Sequence, residues 1–149
     1  MSDNSEIRLK IILLGDSTTK KTSFISRYFG GEELSQQTAT IGILIRHKSF
    51  YMRDMRIDLI IVETAGQERY RSIAMNFLKS AHGAILLYDI TNISIFESLQ
   101  KYYIKNIEEI NPNIKYIIVG NNSDLENYRS ISREEVRKYC EIKNVEELK

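Results

Sequence analysis

The stretch GDSTTKKTS, Gly15 to Ser23, decides how the rest of the chain is read. The aliphatic run KIILL (residues 10–14) precedes it and FISRYF (residues 24–29) follows, so a buried strand here turns into a helix. Such a turn is where backbone N–H groups can curl around an anion in front of a helix N-terminus. The spacing G-x-x-x-x-G-K-[ST] of a phosphate-binding loop fits Gly15, Lys21 and Thr22, with Lys20 standing where the second glycine belongs. A glycine there lets the backbone approach phosphate closely, whereas Lys20 brings a Cβ and a long side chain. Taken alone, the stretch also reads as a strand-to-helix turn with two solvated lysines.

Working outward, short runs rich in Ile, Leu and Val recur at Ile7–Leu14, Ile43–Tyr51, Ile57–Val62, Ala84–Tyr88 and Ile114–Val119. Their length and composition favour strands over helices. The second and third are separated by the polar segment MRDM and read as a hairpin. Thr22–Phe29 places Phe24, Ile25, Tyr28 and Phe29 on one helical face and stops at Gly30-Gly31. Glu68–Ser80 gives a weaker helix with Ile73, Phe77 and Leu78 inward. Capping boxes at Ser94-x-x-Glu97 and Ser132-x-x-Glu135 open two more helices, running towards Asn111-Pro112 and Cys140. The order β-α-β-β-α-β-α-β-α predicts a mostly parallel sheet with helices on both faces and one antiparallel edge hairpin. Ligands bind such α/β sheets at the carboxyl ends of the strands.

A chain of 149 residues, 42% hydrophobic and 28% charged, reads as one domain spanning residues 1–149. Its formal charge of +1, without a basic block or basic-aromatic stripe, argues against a nucleic-acid partner or a membrane surface. The single Cys140 rules out an internal disulfide, and His47 and His82 are too few and too scattered for a zinc site. No run approaches the roughly 18 apolar residues of a membrane-spanning helix, MSDNSEIR is unlike a signal peptide, and no lipidation motif is present. The expectation is a cytoplasmic monomer without a membrane anchor in the given chain. The Tyr102-Tyr103 pair reads as packing and Cys140 as a buried helix residue.

Four segments fall at the carboxyl ends of the strands: GDSTTKKTS, TATIG (Thr38–Gly42), ETAGQE (Glu63–Glu68) and GNNSD (Gly120–Asp124). In this order and spacing, from about Glu6 to the end of the chain, they resemble the nucleotide-binding motifs of the small GTPases. ETAGQERYRS, AHGAILLYDIT and TIGI look most like the Rab family. The resemblance implies the P-loop small-GTPase fold, GTP or GDP as ligand and Mg²⁺ as cofactor. Gly15, Asp16, Ser17, Thr18, Thr19, Lys20, Lys21, Thr22 and Ser23 would then form the phosphate loop. Lys21 would reach the β- and γ-phosphates and the Thr22 hydroxyl would hold Mg²⁺. Thr40, nineteen positions after Lys21, would join the metal shell. Glu63, where the family has aspartate, would hold the metal through water, its longer side chain retracting and lowering affinity. Gly66 would give its N–H to the γ-phosphate and Gln67 would orient the attacking water. Asp124 would read guanine over adenine, with Asn121 tying the loop together and Asn122 replacing the family's lysine. Ile41, Gly42, Ile43, Tyr70, Arg71 and Ile73 resemble the effector-binding surface.

Departures from the family pattern collect at the ligand: Thr18 and Lys20 in the loop, Glu63 at the metal, Asn122 at the base, and Glu33 where a stacking aromatic belongs. Phosphoryl transfer depends on positioning and electrostatics, so these should slow hydrolysis more than they weaken binding. Lost stacking alone could cost about 1–3 kcal/mol. The family continues into a sixth strand, a further base-contacting loop, a last helix and a cysteine-bearing tail, whereas NVEELK ends where that strand should begin. The reading is therefore a domain incomplete at its C-terminus, with the last strand and helix missing, the edge of the fifth strand exposed and a sheet face uncovered. Function by resemblance is a switch in vesicle trafficking, recruited to endomembranes and served by exchange factors, GTPase-activating proteins and effectors. The alternative is a pseudo-GTPase, an interaction module without turnover; a generic P-loop ATPase comes third.

Overall fold

A computed structural model describes residues 5–16, 19, 21–28, 43–64 and 71–148. Its strands are β1 (Glu6–Leu14), β2 (Ile43–Met52), β3 (Met55–Thr64), β4 (Gly83–Asp89), β5 (Lys115–Asn121) and β6 (Glu146–Leu148). They form one sheet in the order β2-β3-β1-β4-β5-β6, in which β2–β3 is antiparallel and the other pairs are parallel. This is the α/β architecture read from the sequence, with one addition described below.

In β1 charged and apolar residues alternate over Glu6–Ile11, but Ile11–Leu14 is continuously aliphatic, and Ile12, Leu13 and Leu14 are fully buried because both faces are covered at that end. Ile12 and Leu14 point into one core with Ala84, Leu86 and Ile118, while Leu13 points into the other with Ile61, Leu87 and Val119. Helix α1 (Lys21–Tyr28) lies on the second face through Ile25 and Phe24. Helices α2 (Arg71–Leu78), α3 (Ile93–Ser98), α4 (Lys105–Ile110) and α5 (Arg133–Lys143) supply the first core, through residues such as Ala74, Phe96, Ile107 and Val136. Along the α1 face, an open groove of about 760 Å³ exposes Leu9, Ile11, Ile85 and Ile117. The hairpin turns on Arg53 and Asp54, whose φ values of 50° and 64° give the twist that suits a two-residue connection.

Three expectations are corrected. The last strand is not missing, because β6 pairs in parallel with β5 and the outer edge of the sheet is β6. The chain returns through Asn144, a left-handed residue (φ 55°) closing α5, and Val145 donates its N–H to the Cys140 carbonyl. Two glutamates hide this strand from a reading by propensity. The helix after β4 is capped by Asn92, not Ser94: Asn92 Oδ1 accepts from the Ser94 N–H at 3.0 Å. Asp89 Oδ1 takes the Thr91 N–H and hydroxyl, and the turn it builds delivers Asn92 in extended conformation to the helix start. The same helix is not uniform, since Leu99–Ile104 widen into a π-helical turn between α3 and α4. Adjacent Tyr103 and Ile104 both enter the core there. The Ser132 cap is met, its hydroxyl accepting from the Glu135 N–H at 3.1 Å. Cys140 is buried as expected.

Candidate functional site

The carboxyl ends of β1, β3 and β5 bring together most of the described residues singled out by sequence. Gly15 leaves β1 at φ +153° in a space no other residue would fit. A Cβ there would stand 2.7 Å from the Leu87 carbonyl and 2.8 Å from Thr19 Oγ1. The Asp16 carbonyl accepts from the N–H of Thr19 at 3.1 Å and from its hydroxyl at 2.7 Å. Lys21, at the first position of α1, reaches back over the loop and donates from Nζ to the carbonyls of Gly15 (2.6 Å) and Asp16 (3.1 Å). It is 4% exposed. Burial pulls its pKa down to about 8 against the opposing influence of Glu63 and Asp16. A buried ammonium of this kind gains from an anion placed beside it.

Glu63 lies in β3 opposite Leu13 of β1 and is 6% exposed. Its Oε1 accepts from the Thr22 hydroxyl at 2.5 Å, while Oε2 is buried with no hydrogen-bond partner among the described residues. An orphaned carboxylate oxygen inside a protein is costly. The Thr22 hydroxyl spends its proton on Glu63 and keeps lone pairs to offer. Hard oxygen donors, among them a carboxylate oxygen without a hydrogen-bond partner, fit Mg²⁺. Among the described residues no three His, Cys, Asp or Glu side chains converge. A metal here would therefore draw on hydroxyls, water and ligand oxygens.

At the end of β5, Asn121 Nδ2 donates to the Thr19 carbonyl at 2.7 Å, across 102 residues of sequence. This is the tie expected of Asn121, and it joins the loop after β5 to the loop after β1. Asn122 is buried and left-handed (φ 69°, ψ 40°), a conformation that asparagine tolerates better than a lysine does. Its carbonyl accepts from Leu125 N–H at 2.8 Å, starting the 3₁₀ turn Ser123–Tyr128 that holds Asp124 exposed.

Two participants escaped the sequence reading. Tyr103, on the π-helical turn and packed in the core as expected, also places its hydroxyl 3.4 Å from Asp16 Oδ1. Arg46, on β2, is 7% exposed and donates from Nη2 to Ser26 Oγ at 3.3 Å. Burial lowers its pKa and the Glu63 carboxylate opposes the shift. The only advance sign of Arg46 was a charge inside a strand pattern. Ser23 is exposed on α1, Ile43 opens β2 opposite Thr64, and Ile73 is half-buried on α2. Ser17, Thr18, Lys20, Phe29, Gly30, Gly31, Glu33, Thr40, Ile41, Gly42, Gly66, Gln67, Glu68 and Tyr70 lie outside the described residues, as does the side chain of Arg71.

Residues 10–148 match the family model described as Ras family. The chain is 37% identical over 138 residues to Ras-related protein Rab-3A of Homo sapiens, covering 93% of this chain and 63% of that protein. It is 34% identical over 142 residues to Ras-related protein RABA1i of Arabidopsis thaliana (95% and 65%). Against Ras-related protein RHN1 of Nicotiana plumbaginifolia the identity is 34% over 140 residues (94% and 70%). The chain thus spans about two thirds of the length of the curated relatives it matches.

Proposed function

Because the chain belongs to the Ras family and is of the Rab type, we propose that it is a single small-GTPase domain acting as a switch in vesicle trafficking. It binds GTP and GDP with Mg²⁺ and hydrolyses GTP slowly. The observation that carries this reading is the 2.7 Å bond from Asn121 to the Thr19 carbonyl, which fixes a base-reading loop against a phosphate loop. In that frame Lys21 exchanges the loop carbonyls of Gly15 and Asp16 for phosphate oxygens. Asp124, exposed on its 3₁₀ turn, accepts from the N1–H and amine of guanine, a pair of donors that adenine lacks. Thr22, Glu63 and Thr40 would hold Mg²⁺, and Gly66 and Gln67 would act on the γ-phosphate and the attacking water. When bound, the metal neutralises charge on the phosphates and helps orient them. Ile41, Gly42, Ile43, Tyr70, Arg71 and Ile73 form the surface met by effectors. Exchange factors and GTPase-activating proteins complete the cycle, on endomembranes. Among the described residues no helix is long and apolar enough to cross a membrane.

The test is analysis of nucleotide released from the purified protein, followed by calorimetry with GDP, GTP and ATP in Mg²⁺. Guanine nucleotide in the preparation, and binding of GDP and GTP but not ATP, are expected; no binding of either guanine nucleotide to folded protein refutes the reading. A second reading, an interaction module without turnover, draws support from Glu63, whose longer carboxylate is already engaged by Thr22. Hydrolysis abolished by Gln67→Leu would decide against it.

A further inference from the structure

We propose that Arg46 is the resident counter-cation of Glu63, and that its charge sets how much Mg²⁺ the site needs in order to hold nucleotide. This rests on the guanine-nucleotide reading above and adds a positioning residue to it.

The geometry comes from three elements. In the β2–β3 ladder Leu44 stands opposite Glu63 and Arg46 opposite Ile61. Residues two apart share a face and directly opposed residues point the same way, so Arg46 and Glu63 are diagonal neighbours on one face. That face carries Ile61 and is covered by α1. On α1, Thr22 and Ser26 are one turn apart and face the sheet together. Thr22 donates to Glu63 Oε1, and Arg46 Nη2 donates to Ser26 Oγ. The four side chains form a strip in which two hydroxyls of one helix hold an acid and a base of one hairpin. Both charges are buried, and a buried carboxylate requires a compensating cation close by.

A guanidinium cannot give up its charge, and Ser26 accepts from one of its nitrogens. Beside Lys21, whose buried ammonium also interacts with Glu63, it offsets the Glu63 charge in the absence of metal. It also repels any divalent ion entering beside Oε2, since the Coulomb term between them is not fully screened at a buried site. Arg46 thereby trades metal affinity for stability of the metal-free state. The extra methylene of Glu63 acts in the same direction, keeping the carboxylate close to Thr22.

The experiment compares wild type, Arg46→Lys and Arg46→Met in two readouts as Mg²⁺ is varied: retention of a fluorescent GDP analogue, and melting temperature without nucleotide. The expected result is a half-saturating Mg²⁺ concentration lowered on the order of tenfold in Arg46→Met and within about twofold of wild type in Arg46→Lys. The Mg²⁺-free melting temperature should fall in Arg46→Met alone. A role confined to packing would shift melting in both variants and leave the Mg²⁺ midpoint in place, which overturns the inference. If Arg46→Met does not fold, the double variant Arg46→Met, Glu63→Gln decides. Recovery of folding once the lone carboxylate is gone supports the pairing, and continued failure to fold overturns it. Nucleotide retained with equal midpoints in all proteins defeats this inference alone, whereas a wild type indifferent to both nucleotide and Mg²⁺ defeats the functional reading with it.

Discussion

Replacing Asn121 with alanine would separate the two halves of the site without removing a charge. The amide donates at 2.7 Å to the carbonyl of Thr19, a residue with no exposed surface. Its loss removes a hydrogen bond worth about 0.5–1.5 kcal/mol net and leaves a buried acceptor that water does not reach, bringing the expected destabilisation to about 1–3 kcal/mol. For a chain of this size each kcal/mol lowers the melting temperature by roughly 2–4 °C. Thr19 is also anchored locally, through two hydrogen bonds to the Asp16 carbonyl, so the loop keeps its turn and loses only its tether to β5. Nucleotide spanning both loops should then dissociate faster, by roughly 5- to 150-fold if the same 1–3 kcal/mol is lost from the bound state. Urea denaturation of the nucleotide-free protein gives the first quantity, and release of a fluorescent GDP analogue gives the second. Asn121→Asp should be worse than alanine in both, because it sets a carboxylate against a carbonyl. An alanine variant with an unchanged urea midpoint and unchanged release would refute the claim that this bond holds the site together.

Gly15→Ala should cost about 1–3 kcal/mol, since its Cβ meets the Leu87 backbone carbonyl at 2.7 Å and the loop must shift; unchanged melting with intact nucleotide binding would contradict this. Ser132→Ala removes the N-cap of α5 and should cost about 1 kcal/mol, readable by urea denaturation, with Ser132→Asp close to wild type. Hydrogen bonds from Arg129, and then Arg133, hold the Glu126 carboxyl down at about 2, below its ordinary 4.5. A depressed acid contributes stability that is present above the unfolded value and is lost as pH falls through the folded one. Wild type should therefore exceed Glu126→Gln in stability at neutral pH, with the gap closing between about pH 4.5 and pH 2; a constant gap across that range would dispose of the idea.

The strands were legible because most of them are aliphatic blocks separated by polar turns, as at the end of β1, where the unbroken run Ile11–Leu14 signals burial on both faces. Gly15 was marked by motif spacing and Asn121 by family resemblance, and the structure supplies the reason for each: one fits a space without room for a Cβ, the other ties two backbones. Arg46 was not. In Ile43–Lys48, apolar side chains fall on both parities of the strand, so the pattern does not say which face is buried. The structure leaves Ile45 45% exposed and buries Arg46 beneath α1, the reverse of what hydropathy suggests. The choice between Asn92 and Ser94 as cap depended on where β4 ends and how Asp89 folds the chain back, a tertiary matter. A π-helical turn has no compositional mark, so the approach of Tyr103 to Asp16 was invisible in the sequence.

The strand order has a consequence for how the molecule assembles as it is made. Its first strand is its central one, and its two neighbours, β3 and β4, are completed only at Thr64 and Asp89. During synthesis the aliphatic run Ile11–Leu14 must therefore wait, with both strand edges open, until about fifty further residues have been added. The antiparallel hairpin closes locally and is the first platform on which β1 can dock. The loop that follows β1 gains its tether to Asn121 only when β5 has arrived. The site therefore cannot be completed before β5 has been made, although its first residues are among the earliest made.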